Sequence, residues 1–305
     1  MIARRGFVML TVLWVLAAAS TVALALALEG RDGVNAARNR VNAERAWARA
    51  SDCLARARLA ADAVLAANPD PGANAAAWRS LGALVAESGM PMGSECTATF
   101  EAAGTRLDVN AADSAQCVAV LGALGFGSAS EAMTAALLDW RDNDDSVRAL
   151  GAEADWYVQA GRLPPRNGPF ADVGELVRVR GFEDAVGLDS VFITEQGRIA
   201  INSAGAAVLA AVPGFSDEAV ERVLALRSQG TPVIDILTFA STLSTPASDA
   251  IIAHYREFAN AATIDPDAWI VTATGVAGFP AVRSTIRVRM VHASTRAVVV
   301  RQWTW

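Results

Sequence analysis

The sequence has no lysine; all 26 of its formal positive charges are arginine. It has two histidines, His254 and His292, too little material for His-based catalysis or a His-rich metal centre. Three cysteines, Cys53, Cys96 and Cys117, are too few for a disulfide-framed miniprotein and are not spaced as zinc pairs. No nucleophile elbow and no metal-hydrolase motif occurs. The Gly-rich "GFGSASE" at 125–131 lacks the preceding strand and the Lys that a phosphate loop requires. These absences leave no enzyme signature, and the expectation is a non-enzymatic protein. A net charge of −6 also argues against a general nucleic-acid binder.

What is present begins with the longest apolar run. Phe7 to Leu28 is 22 residues without a charge. As a helix it would be about 33 Å long, enough to cross a bilayer core of about 30 Å. A cleaved signal is shorter and ends in small residues; "AAAS" at 17–20 could serve, but the run continues apolar to Leu28. A polar, Ala-rich stretch follows with no Pro before Pro69. The composition predicts one long helix, half in lipid and half in water, with room for a kink at Gly30–Gly33. Arg4 and Arg5 before the run orient the N-terminus to the cytoplasm and the bulk of the chain outside.

Downstream, "NPDPGA" at 68–73 stops the helix, and 76–88 is a short amphipathic helix. Residues 95–100 and 105–109 alternate as strands, with "EAAG" between them suited to a hairpin. A helical, Gly-punctuated region runs from about 110 to 260. Strands return in "AWIVTATGV", "RSTIRVRMVHA" and "RAVVVRQWTW". In the middle one, Ile286, Val288 and Met290 share a face, and Arg287 and Arg289 share the other, expected to be solvated. The fold class is therefore α+β.

Inside the helical region three sites read Gly-Phe: "LGF" at 124–126, "RGF" at 180–182 and "PGF" at 213–215. Two join helices in the manner of helix–hairpin–helix units. Such units often hold DNA phosphates, so a membrane-anchored DNA-binding and uptake protein is the rival function. Glu131, Asp217 and Glu218 follow the hairpins and would repel phosphate, so the units are expected to pack helices and no nucleic acid is expected as a partner. Between Asp139 and Asp155 six acids face two arginines. Carboxylates this dense repel one another unless a cation or arginines sit among them. Hard oxygens on a loop suit calcium, although the spacing is not that of an EF-hand. A solvated acidic loop partly neutralised by Arg141 and Arg148 is the alternative.

Two stretches carry a family resemblance. "RRG" directly before "FVMLTVLWVLA" resembles the leader of type IV pilins and pseudopilins. "DWRDNDD…GAE…Y", with Asp139, Trp140, Asp142, Asp144, Gly151, Ala152, Glu153 and Tyr157, resembles the signature of the K-type minor pseudopilin of type II secretion. The resemblance implies a leader at 1–6 cut by a prepilin peptidase between Gly6 and Phe7, with methylation of Phe7. It implies a transmembrane half-helix at 7–28 and its periplasmic half at 29–67. A pseudopilin sheet would form from 68–109 and 261–305, interrupted by an inserted α-helical, SAM-like helix–hairpin–helix domain at 110–260. Most pseudopilins carry Glu at the fifth mature position; here it is Thr11, and the K-type class characteristically lacks that Glu. The implied place is the inner membrane of a bacterium, single-pass, with the C-terminal part in the periplasm. The implied partners are the other minor pseudopilins and the major pseudopilin, and the implied role is structural, at the tip of a filament that supports export. Known members bind calcium, so Asp139, Asp142, Asp144, Asp145, Glu153 and Asp155 are candidate ligands. In an oxidising compartment thiols pair; a bridge from Cys96 to Cys117 is expected, leaving Cys53 free on the long helix.

Overall fold

The computed structural model describes residues 3–89, 95–195 and 197–304, with only the backbone described for 3–8 and for 304. Helix α1 runs unbroken from Ala3 to Ala66, with Gly30 and Gly33 inside it. Its residues from Met9 to Val41 are exposed, and burial starts at Asn42. From there Ala46, Ala50, Cys53, Ala57, Ala60 and Ala61 repeat at three and four residues and face the rest of the molecule. Small residues on that face let the helix backbone lie close to what it covers.

The stop at Ala66 is built as the turn cluster predicts. Helix α2 (Pro71–Arg79) starts with Pro at its first position, where a missing N–H costs nothing, and Asp70 Oδ1 accepts from Gly72 N and Ala73 N. Asn74 is buried and donates to Leu65 O (3.0 Å) and Asn68 O (2.9 Å), which pins the start of α2 to the end of α1. Helix α3 (Leu81–Glu87) follows, so the predicted single helix at 76–88 is two, broken at Ser80.

What α1 covers is a four-stranded antiparallel sheet. Its strands are β1 (Cys96–Ala102), β6 (Trp269–Ala277), β7 (Val282–Ala293) and β8 (Arg296–Thr304), in the order β1-β6-β7-β8. Ile286, Val288 and Met290 point inward and are buried, as their alternation predicts. Trp78 and Trp269 close one end of this core: Trp269 Nε1 donates to Trp78 O, Trp78 Nε1 donates to Pro266 O, and the Trp78 ring stacks on His292 at 4.9 Å. At the other end α1 touches β6 at Gly275, where a Cβ would run into the Ala46 carbonyl oxygen and come within 2.5 Å of Ala50 N.

Three expectations fail here. The strand at 105–109 does not form a hairpin with β1; it shrinks to β2 (Leu107–Asp108), which pairs in parallel with β3 (Phe192–Ile193). The neighbour of β1 is β6, because β6 offers a long apolar strand and the short "RLD" stretch does not. Cys96 pairs with Cys53, not with Cys117, at a Cα–Cα distance of 6.1 Å. Cys53 lies on the sheet-facing stripe of α1, above β1, whereas Cys117 is buried in a separate core. Arg287 is not solvated: its side chain is 18% exposed and its Nη1 is 2.6 Å from Glu195 Oε1. Glu195 comes from the segment between β1 and β6, which covers part of the outer face.

That segment builds its own core from residues between Leu107 and Ala262. Its further elements are α4 (Ser114–Ala123), α5 (Ser130–Arg141), α6 (Ala154–Gln159), β4 (Ile199–Ala200), α7 (Ala206–Leu209), α8 (Asp217–Ser228), α9 (Ile236–Ala240), α10 (Thr245–Ala253), α11 (Tyr255–Ala261) and β5 (Ala262–Thr263). Asp113 and Gln116 form a reciprocal capping box on α4, and Ser216 caps α8. The three Gly-Phe sites share one backbone device. Gly125, Gly181 and Gly214 all have left-handed φ, at 91°, 88° and 81°, and each following Phe turns toward this core. The chain leaves and re-enters the sheet at one place, where Ala103 N donates to Ala268 O.

Candidate cation loop and anchor helix

The acidic stretch grows out of the end of α5. Asp139 sits on the inner face of that helix and is fully buried. Asp142 ends the helix by turning extended at its C-cap. Six residues on, the chain has doubled back and Arg148 reaches into the turn. Its backbone N donates to Asp139 Oδ2 (3.2 Å), its Nη1 donates to Asp139 Oδ1 (2.7 Å), and the same Nη1 also meets Asp142 Oδ2. Hydrogen bonds to these two carboxylates hold the Arg148 guanidinium above its usual range. Gly151 follows; any side chain there would collide with Asp139 Oδ2. Arg180 Nη1 fixes the loop from outside by donating to Gly151 O (2.9 Å).

Glu153 is the unusual member. It is 7% exposed, and among the described residues neither of its carboxylate oxygens has a hydrogen-bond partner. Burial, then the charges of Asp139, Asp142, Asp145 and Asp144, push its carboxyl up to about 7. Asp142 Oδ1 is likewise buried without a partner. Unpaired buried oxygens carry the full cost of desolvation. They ask for a proton or a cation.

The remaining candidates divide. Asp144 Oδ1 accepts from Ser146 N (2.8 Å), which draws its carboxyl below the usual range. Asp145 Oδ1 accepts from Asn167 Nδ2 (2.8 Å). Asp155 is exposed in the first turn of α6, where a negative charge favours the helix N-terminus. Among the described residues no three acidic, His or Cys side chains stand together closely enough to hold a metal as placed. Arg141 directs its hydrogen bonds elsewhere: its Nη1 and Nη2 donate to Val109 O and Ala112 O, tying α5 to the segment before α4, and only its charge acts on Asp142. The aromatic signature residues form the floor. Trp140 and Trp156 meet the buried Tyr157 edge to face at 5.3 and 5.0 Å, and Tyr157 Oη accepts from Arg180 N. Sequence reasoning passed over Arg180, whose guanidinium lies 4.9 Å above the Trp156 ring. A basic residue just before a Gly-Phe turn was the available signal.

At the other end of the molecule, Gly6 and Phe7 lie in the first turns of α1, outside the described side chains. Thr11 is exposed on the helix. Met9 onward is long and apolar enough to span a membrane, and its apolar window has no residue buried against the rest of the chain.

Residues 57–187 match the family described as type II secretion system (T2SS), protein K. A chain in the crystal structure of the GspK-GspI-GspJ complex from the enterotoxigenic Escherichia coli type 2 secretion system is similar in fold. The two are 18% identical, with 69% of this chain and 79% of that chain covered and a TM-score of 0.51. No curated protein matches the chain. The resemblance to the K-type pseudopilins is borne out over the matched residues, and the mixed helix-and-sheet fold with a long N-terminal helix is borne out among the described residues.

Proposed function

We propose that this chain, tied to the type II secretion system protein K family by residues 57–187, is a minor pseudopilin that stands at the tip of a short filament and supports protein export. The observation that carries this reading is the division of α1 into an exposed apolar half and a half packed on a four-stranded sheet. An isolated apolar helix of this length belongs in lipid, and its continuation would join neighbouring subunits. The head stays on the far side of the inner membrane, in the periplasm. A peptidase cut between Gly6 and Phe7, with methylation of Phe7, produces the mature subunit.

Thr11 explains the tip. A buried charge in lipid is costly unless paired. A Glu at this place can meet the N-terminal amine of the neighbouring subunit; Thr11 offers no carboxylate to a subunit above it. Intact-mass spectrometry of the full chain from its host membrane tests the reading. The expected species lacks residues 1–6 and carries one extra methyl group on Phe7. Retention of Met1, or cleavage near Ser20, overturns it. Gly6→Val should abolish the cut and leave the leader attached.

The loop of Asp139, Asp142, Asp144, Asp145 and Glu153 belongs to the same reading as a calcium site. The orphaned oxygens of Glu153 and Asp142 fit a hard cation that takes several oxygen ligands. Arg148 holds the place of positive charge there, and its 42% exposed side chain is free to swing outward as a cation enters. Calorimetric titration of the full chain in detergent should give calcium binding that Glu153→Gln weakens at least tenfold. Arg148→Ala should strengthen it, because no guanidinium must then be displaced. No heat and no shift in melting temperature with calcium ends the proposal.

A further inference from the structure

The segment between β1 and β6 holds a cleft of about 340 Å³ between the start of α4 and the end of α11, away from the cation loop and the anchor helix. Three of its lining side chains are acids, Asp108, Asp113 and Glu257, and none is basic. Asp108 is the unusual one. It is 4% exposed and lines the cleft, and among the described residues no side chain donates to its carboxylate. Its Oδ1 accepts from a backbone group, Asn110 N (2.9 Å). Arg141 acts on it through charge, but the Arg141 Nη groups are committed to Val109 O and Ala112 O. Burial prevails and pushes the Asp108 carboxyl above its usual range, against the hydrogen bond from Asn110 N and the charge of Arg141. A buried carboxylate with no cation bonded to it carries its desolvation cost.

The arrangement calls for a cation with length. A metal ion does not fit, because among the described residues no three carboxylates converge closely enough to hold one. The volume is at the low end of clefts that take a small molecule, which suits one long side chain. Ile199 and Pro213 line it with apolar surface that would cover an aliphatic stem. Acids placed apart around the cleft suit the forked N–H donors of a guanidinium better than a compact ammonium. Gln116 adds a different group. Its Oε1 accepts from Asp113 N (3.0 Å), which leaves its Nε2 as a donor for a carbonyl. A carbonyl beside a guanidinium stem belongs to a peptide, and a free amine has none.

We infer that this cleft takes an arginine side chain from a partner polypeptide, with Asp108 meeting the guanidinium, Asp113 and Glu257 beside it, and Gln116 holding the adjoining peptide carbonyl. The inference depends neither on the pseudopilin reading nor on the calcium site.

Calorimetric titration of the full chain in detergent with the capped tripeptide acetyl-Ala-Arg-Ala-amide tests it. The control peptide carries citrulline, which keeps the shape of arginine and loses its charge. The arginine peptide should bind saturably and at least tenfold more tightly than the citrulline peptide. Asp108→Asn keeps the acceptor for Asn110 N and should weaken binding about tenfold, the worth of one hydrogen bond to a charged group. Glu257→Gln, at an exposed position, should weaken it severalfold, and Glu153→Gln should leave it unchanged. Equal affinity for the two peptides overturns the inference. So does loss of binding in Glu153→Gln with retention in Asp108→Asn, which would place the peptide on the acidic loop. Agmatine carries the same guanidinium and stem without a peptide; equal affinity for it overturns the assignment to a polypeptide.

Discussion

Replacing Cys53 and Cys96 together by alanine is expected to lower the unfolding free energy by about 4 kcal/mol, the chain-entropy value for a closed loop of this length. The bridge spans 43 residues and holds the middle of α1 to the edge strand β1, with α2 and α3 inside the loop. Without it the unfolded chain gains freedom that folding must then remove. For a domain of this size the change corresponds to roughly 10 °C in melting temperature. Thermal unfolding of the full chain in detergent, followed by circular dichroism with and without reductant, measures it. A loss below 1 kcal/mol contradicts it. Thiol counting supplies an independent check. Cys117 is buried and burial pushes its thiol up to about 11, so native protein should take no alkylating label. Unfolding without reductant should expose one thiol, and unfolding with reductant three. Three labels without reductant would mean that the bridge does not exist.

The second large effect is expected at Gly275. This residue of β6 stands opposite Cys96 and directly under the backbone of α1 at Ala46 and Ala50. Neither obstacle is a flexible side-chain end, so a new Cβ can be accommodated only by lifting the helix from the sheet. Gly275→Val should destabilise the head by about 3 kcal/mol, the upper part of the range for overpacking. Gly33→Ala makes the contrast. Gly33 lies in the exposed part of α1 with nothing within 4 Å of a Cβ, and alanine there should stabilise the helix by about 1 kcal/mol or less. Denaturant melts of the two variants should move in opposite directions. Equal behaviour would show that the close approach of α1 does not govern position 275.

The parts of the fold set by local rules could be read directly. The uncharged run from Phe7, the turn cluster at 68–73 and the alternation around Ile286 each act on their own neighbours, and each produced the element expected. The misread parts all depend on distant partners. Whether "TRLDV" pairs with β1 is decided by β6, more than 150 residues away, and whether Arg287 is wet is decided by Glu195. The cysteine pairing failed for the same reason. Spacing placed Cys96 nearer in sequence to Cys117, but the helix register of Cys53 is what brings a sulfur to the sheet. At the acidic loop the sequence revealed the density of charge and its aromatic floor. It could not reveal that Arg148 would clasp two carboxylates while Glu153 is left with none, because that is settled by where the loop doubles back.

The hydrogen bond from Ala103 N to Ala268 O turns everything between those residues into the loop of a very long hairpin. Closing such a loop costs only roughly 3 kcal/mol more than closing a short turn, because the penalty grows with the logarithm of length. A segment that supplies its own core reduces even that, since once folded it delivers its two ends side by side. The sheet therefore tolerates a long carried segment between β1 and β6, provided it folds, its ends meet and it keeps the contact of Glu195 with Arg287. Away from that contact, the carried segment is the part of the molecule free to change in size and surface without disturbing the strands or the long helix.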